Sequence, residues 1–302
     1  PAAGALIIDY HKNTTQSRAT SIHVIGMTLG STLGFIGGWL AEKQTWNYAF
    51  HVFGIVGLIY AVILLFLLKD APRDKNEING KNESPDNKDN KRVNFGLAIV
   101  HMFKNKSFVY LFVFFGILGI IGWTIIGWLP TYFKEQFNLS QSMAGFYATA
   151  FLNPASIAGL LFAGFLSDRW SKSNKNARFL LPIFSLSIAV PCIFFASYTS
   201  TLYIAVILFM LYGFCKAQVD ANFTPIACSI ISLRYRSTGL GIFNMVATAV
   251  GGMGIYITGM LRDSQINLKV IYQTMALSII ICVLLLWLVL KEQNKRNNKL
   301  DS

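Results

Sequence analysis

Long apolar stretches alternate with short polar ones along almost the whole chain. Runs with few or no charges cover about residues 18–41, 47–68, 108–133, 141–166, 179–198, 201–230, 237–261 and 270–290. Each supplies the roughly 20 apolar residues that a helix needs to cross a hydrocarbon layer. A bilayer core offers the backbone no water, so spans of this composition satisfy their amides internally, as helices. The pattern predicts an all-α polytopic membrane protein with eight complete spanning helices, and residues 1–8 read as the end of a ninth. The opening "PAAGALIIDYHKNTTQSRAT" lacks the order of a secretory signal, in which a basic stretch precedes the apolar run.

One polar stretch is far longer than the others. Residues 71–92 are dense in Lys, Asp, Asn and Glu and nearly free of apolar side chains, so they are expected to be disordered. "VNFGLAIVHMF" follows at Val93–Phe103 and is amphipathic enough for a helix on the membrane surface. Only 13% of the 302 residues are charged, against about a quarter in soluble domains, which argues against a soluble protein. A net charge of +12 raises nucleic-acid binding as an idea, and the placement of the charge answers it. With connections assigned alternately to two sides, every Lys and Arg except Lys43, Lys134, Lys216, Arg262 and Lys269 falls on one side. By the positive-inside rule that side is cytoplasmic, and the C-terminal tail with it. The four cysteines lie inside apolar segments without metal-ligand spacing and read as small core residues.

Two parts of the chain resemble each other. The opening residues and "PIACSIISLRYRSTGLGIFNMVATAVGGMGIYITGMLRD" from Pro225 both run from a proline, through a helix end and a polar turn, to an arginine and a glycine-rich helix. Pro1 pairs with Pro225 and Arg18 with Arg236. Parallel repeats of this kind build transporters from two six-helix halves. Matching the halves predicts about 120 further residues, three and a half helices, before Pro1. The chain then divides into 1–69, the remainder of an N-terminal half; 70–106, a cytoplasmic linker; 107–290, a complete C-terminal half; and 291–302, a tail.

"GFLSDRW" at Gly164–Trp170, between the runs at 141–166 and 179–198, resembles the loop signature of the major facilitator superfamily in its second-half copy. "GWLPTYF" at Gly127–Phe133, followed by "LSQSMAG", is similar to the seventh-helix end of the anion:cation symporter and sugar-phosphate permease branch. The resemblance covers the whole chain. It implies the major facilitator fold, from the end of helix 4 through helix 12, and transport by alternating access. Sugar-phosphate permeases of the branch grip phosphate with an arginine in the first helix and another in the seventh. Here Phe108 to Phe133 contains no basic residue, a departure from that pattern.

The sharpest chemical signal is "YGFCKAQVDANFTP" at Tyr212–Pro225, in the middle of an apolar run. A charge at the bilayer centre costs about 2.5–3.5 kcal/mol on insertion scales, so Lys216 and Asp220 need a reason to be there. Four residues apart, they share a helix face and reach each other. Lys216 is expected to attract an anionic substrate group, while Asp220 holds Lys216 or takes up a coupling proton. The competing reading is a permanent ion pair that keeps the helix in register. The resemblance implies that this tenth helix lines a central cavity. Asn153 lies beside Pro154, which removes a backbone hydrogen bond; its amide serves a sugar hydroxyl or the carbonyl freed by the kink. Trp123 and Trp128 are candidates to stack on a sugar ring, Trp128 fitting an interfacial anchor better. Asn222 and Asn244 are further polar candidates.

Glycines supply a second pattern. Gly26, Gly30 and Gly34, and separately Ala155, Gly159 and Ala163, recur every four residues and make smooth helix faces. The resemblance implies that these two helices meet across the interface between halves. Gly164, Asp168, Arg169 and Arg18 would form the gate there, with Asp168 facing the start of the fifth helix near Ser17 and Arg18. Close packing within one half is the plainer reading of both stripes.

The expected function is secondary active transport, the proton-coupled import of a small organic anion such as a sugar acid. The alternatives are a transporter-like membrane sensor for a sugar ligand and a transporter of a neutral sugar. No nucleophile and base, metal cluster or phosphate loop stands at recognisable spacing, so an enzyme is not expected. No cofactor beyond a proton or sodium gradient is expected. The expected partners are a small-molecule substrate and membrane lipids, without nucleic acid, for a monomer in the inner (cytoplasmic) membrane.

Overall fold

The computed structural model describes residues 26, 29–67, 95–174, 176–232 and 235–300. The chain forms two compact units, 1–93 and 94–302. Among the described residues every regular element is a helix, and seven spans are long and apolar enough to cross a membrane.

In the first unit α1 (Phe35–Lys43) turns at Gln44 and Thr45 into α2 (Trp46–Leu67) and packs back along it. Gly37 permits the approach, since a Cβ there would lie 3.2 Å from the Phe53 ring. Leu65, Phe66 and most other large side chains of α2 are exposed within this unit, as on a helix that meets lipid. The first part of the span expected at 18–41 lies outside the described residues, as does the polar stretch 71–92. The end of that span is interrupted at Leu33–Gly34, where Gly34 N–H donates to Ser31 and Gly37 N–H to Gly34, three residues back. Three glycines, Gly34, Gly37 and Gly38, hold the α-helix weakly at this point.

The second unit holds α3 (Phe95–Phe103), α4 (Lys106–Phe137), α5 (Gln141–Ala150), α6 (Leu152–Ser171), α7 (Ala177–Tyr198), α8 (Leu202–Ile230), α9 (Arg236–Asp263) and α10 (Leu268–Leu300). α3 is the helix expected from "VNFGLAIVHMF". The next helices start at side-chain caps: Asn105 Oδ1 accepts from Ser107 N–H at 3.0 Å, and Ser140 Oγ from Met143 N–H at 3.2 Å. The expected span at 141–166 is broken at Phe151. Pro154 has no N–H for the Ala150 carbonyl, and the helix resumes with a 3.3 Å bond from Ala155 N–H to Phe151.

α8 packs between α6 and α7, while α4 packs against α9 and α10. Tyr132, Phe209 and Tyr272 form an aromatic cluster in the core. Both tyrosine hydroxyls find carbonyls there, Tyr132 donating to Ala196 at 2.8 Å and Tyr272 to Ile125 at 3.3 Å. Cys192, Cys215 and Cys282 are buried in this core and Cys228 is half-buried, as their apolar surroundings in the sequence imply. The stripe on α6 also packs inside the unit. A Cβ at Gly159 would run into the Phe214 carbonyl and lie 2.9 Å from its Cα, so α6 and α8 touch backbone to backbone. A Cβ at Gly26 or Gly30 would meet no atom within 4 Å.

Candidate functional site

Lys216 and Asp220 sit near the middle of α8 on one face. The lysine ammonium donates to the carboxylate at 2.6 Å. The pair borders a cavity of about 370 Å³ between α4, α8 and α9, within the size range of small-ligand sites. On α4 the wall is one helix face, with Phe115, Leu118, Gly119, Gly122, Trp123 and Ile126 recurring at short helical intervals. The cavity therefore lies at mid-depth of three spanning helices.

Glycines determine where this space exists. A Cβ at Gly122 would touch Lys216 Cε at 3.5 Å, so the bare glycine leaves room beside the lysine stem. A Cβ at Gly251 would overlap the Trp123 ring and lie 2.8 Å from its Cγ. One at Gly119 would lie 2.9 Å from Ala247 Cα, so α4 and α9 touch there. Phe115 is held by stacking on Phe223, with ring centroids 3.8 Å apart. Trp123 remains 48% exposed and presents its ring to the cavity.

The Lys216 and Asp220 side chains are 25% and 44% exposed, so cavity water reaches both. An exposed pair at this spacing contributes about 0.3–0.5 kcal/mol to a helix. Placing one charge at mid-span costs about 2.5–3.5 kcal/mol. Mutual pairing and their opening to the cavity reduce that cost for both residues.

Of the other candidates, Asn222 points away from the cavity. It is buried, its Oδ1 accepts from Ser167 Oγ at 2.6 Å, and its Nδ2 donates to the Gln218 carbonyl at 2.9 Å. This amide joins the end of α6 to α8. Interhelical hydrogen bonds in membranes contribute about 0.6 and at most about 1.7 kcal/mol. Asn222→Ala is therefore expected to lower stability by that amount in detergent unfolding, while leaving substrate KM unchanged. Asn244 is exposed on α9, with Nδ2 donating to the Leu240 carbonyl at 3.2 Å, and Asn153 is half-buried beside the break before α6; neither borders the cavity. Trp128 donates through Nε1 to the Ile255 carbonyl at 3.4 Å, which ties it to α9. Gly164 and Arg169 lie near the end of α6, both exposed. The Asp168 side chain and all of Arg18 lie outside the described residues.

Phe115, Gly119, Gly122 and Gly251 were not singled out by sequence reasoning. The three on α4 share the face of Trp123, a spacing visible in the chain; Gly251 carries no such mark.

A family model described as the Major Facilitator Superfamily matches residues 1–255 and again 123–301. The chain belongs to the Major Facilitator Superfamily. It is thus a multi-pass membrane protein of a transporter family and not an enzyme. Among relatives, sialin of Ovis aries is 25% identical over 290 residues, which cover 84% of this chain and 53% of the sheep protein. The hexuronate transporter of Bacillus subtilis is 23% identical over 267 residues, 85% of this chain and 61% of that protein. The chain spans little more than half the length of these relatives. A crystal structure of a bacterial homolog to the human lysosomal transporter Spinster, inward-facing and unoccupied, superposes with a TM-score of 0.65 at 18% identity. It covers 96% of this chain and 72% of its own, and it shows that the superfamily member described here has the facilitator fold.

Proposed function

We propose that the chain is part of a secondary active transporter that imports a small organic anion, such as a sugar acid, together with protons by alternating access. The observation that carries this reading is Lys216, a cation at mid-depth on the wall of a 370 Å³ cavity. Ionisable groups at such depth mark substrate or ion paths. Lys216 binds the cargo carboxylate and Trp123 stacks on its ring. Asp220 holds the lysine in the empty carrier and is released to accept the coupling proton when the cargo takes its place. Lys216 is the one basic side chain on the described cavity wall, which favours a carboxylate over a phosphate held by two arginines. The name of the Bacillus subtilis relative, a transporter of hexuronate, agrees with a sugar acid. The transporter acts as a monomer of the inner membrane whose basic connections and C-terminus face the cytoplasm.

The test is uptake by the full-length protein in proteoliposomes. Labelled sugar acids, neutral sugars and sugar phosphates are offered with and without an inward proton gradient. Sugar acids are expected to accumulate only with the gradient. Accumulation of neutral sugars alone would overturn the anion, and binding without uptake would make the protein a sensor.

A further inference from the structure

A second cavity, of about 460 Å³, opens at one end of the same helices. It lies where α3 ends, α4 and α9 begin and α8 ends, beside Arg296 on the last turns of α10. From Phe108 on its wall to Gly122 in the central cavity is about 20 Å along α4, and the two cavities share no lining residue. The proposed transport cycle makes no use of it.

Its lining has two parts. Met102, Phe108 and Ile231 give it an apolar floor, all three buried. Asn105, Ser229, Ser232, Tyr235 and Arg296 give it a polar rim. Among the described residues no acidic side chain borders it, so Arg296 has no described counter-ion within the cavity, whereas Lys216 in the central cavity has Asp220. Two further features add positive potential. α9 begins at the rim, at Tyr235, with no side-chain cap there, and the end of a helix at this terminus carries partial positive charge. Lys104 and Lys106, both exposed, flank Asn105. An anion-seeking rim over an apolar floor, at the end of the bundle that carries the basic connections, matches a ligand with a phosphate head and an apolar body.

We propose that this cavity is a binding site for a phosphate-bearing amphiphile, with the phosphate at Arg296 and the apolar part along Met102, Phe108 and Ile231. The phosphate chemistry is common to an anionic phospholipid and to a soluble phosphate ester, and the experiment separates the two. A basic pocket between membrane helices at this level recognises lipid headgroups by the same forces. Filling it would pin α3 to the ends of α4, α8 and α10.

Cys228 lies on the wall and supplies the reporter, because it is half-buried while Cys192, Cys215 and Cys282 are buried. The full chain is placed in nanodiscs of phosphatidylcholine alone or with one third phosphatidylglycerol, and maleimide alkylation of Cys228 is followed by peptide mass spectrometry. Phosphatidylglycerol is expected to slow alkylation about fivefold or more, and Arg296→Gln to return most of that factor, since one basic side chain near the headgroups is worth about fivefold in affinity. Arg296 is exposed, so its variant keeps the fold. Protection in phosphatidylcholine discs by millimolar glycerol phosphate would assign the site to a soluble ester instead. Equal alkylation under all three conditions, or protection undiminished in Arg296→Gln, overturns the proposal. Should Cys228 resist maleimide even in phosphatidylcholine, the melting temperature decides: a rise with phosphatidylglycerol or glycerol phosphate that Arg296→Gln removes supports the site, and no rise overturns it.

Discussion

Lys216→Gln raises the KM for anion uptake by about ten- to a hundredfold and leaves the amount of protein in the membrane unchanged. The range follows from a hydrogen bond to a charged group, about 1.5–3 kcal/mol, set against the glutamine amide that takes its place. The fold is spared because Asp220, 44% exposed, is hydrated when its partner becomes neutral, and because glutamine still reaches it. Lys216→Arg is a sharper control. It keeps the charge, but the space beside Gly122 ends at contact distance from the lysine stem, and a guanidinium intrudes on the cavity. Arginine is therefore expected to restore part of the binding and not all of it. Uptake kinetics on reconstituted variants, normalised to protein content, check both. An unchanged KM in Lys216→Gln would return the pair to a structural role and remove the support for an anionic cargo.

The second large effect concerns assembly rather than transport. Gly159→Ala destabilises the second unit by about 1–3 kcal/mol, the cost of overpacking a close contact. The added methyl meets the Phe214 carbonyl and Cα, and a backbone has no rotamer by which to yield. Gly241→Ala has the opposite sign. A Cβ there meets nothing within 4 Å, and alanine gains up to about 1 kcal/mol of helix propensity, so this variant is neutral or stabilised. Thermal unfolding in one detergent compares the two directly. If both glycines tolerate alanine equally, the contact between α6 and α8 is not as close as described.

The sequence exposes Lys216 and Asp220 because an apolar run makes any charge conspicuous and a spacing of four puts both on one face. Helical geometry also argues against Asn222, which lies two residues and about 200° around the helix from Asp220. Its partner Ser167 is 55 residues away, and that bond has no local signature. The kink before α6 is legible in Pro154, although the break itself falls at Phe151, three residues earlier. Trp123 is recognisable as a large ring at mid-span. Its position in the wall depends on Gly251, more than a hundred residues on, and nothing along the chain links the two. The span expected at 18–41 looks continuous as an apolar run, yet propensity at Gly34, Gly37 and Gly38 governs where it turns.

Lys216 and Asp220 stand on successive turns of a single helix, so relative movement of helices leaves their separation unchanged. Cargo can displace Asp220 from Lys216; rocking cannot. In the proposed cycle the empty wall would accordingly carry no net charge from this pair in either orientation, and its return stroke would do no work against the membrane voltage. A monovalent anion loaded without a proton would add one negative charge, worth about 2.3 kcal/mol per 100 mV if it crosses the full potential. One proton taken up with each anion cancels that charge. In the transport cycle proposed above, a one-to-one stoichiometry would make the contribution of this wall voltage-independent, so that the pH difference and the anion's own concentration gradient drive it.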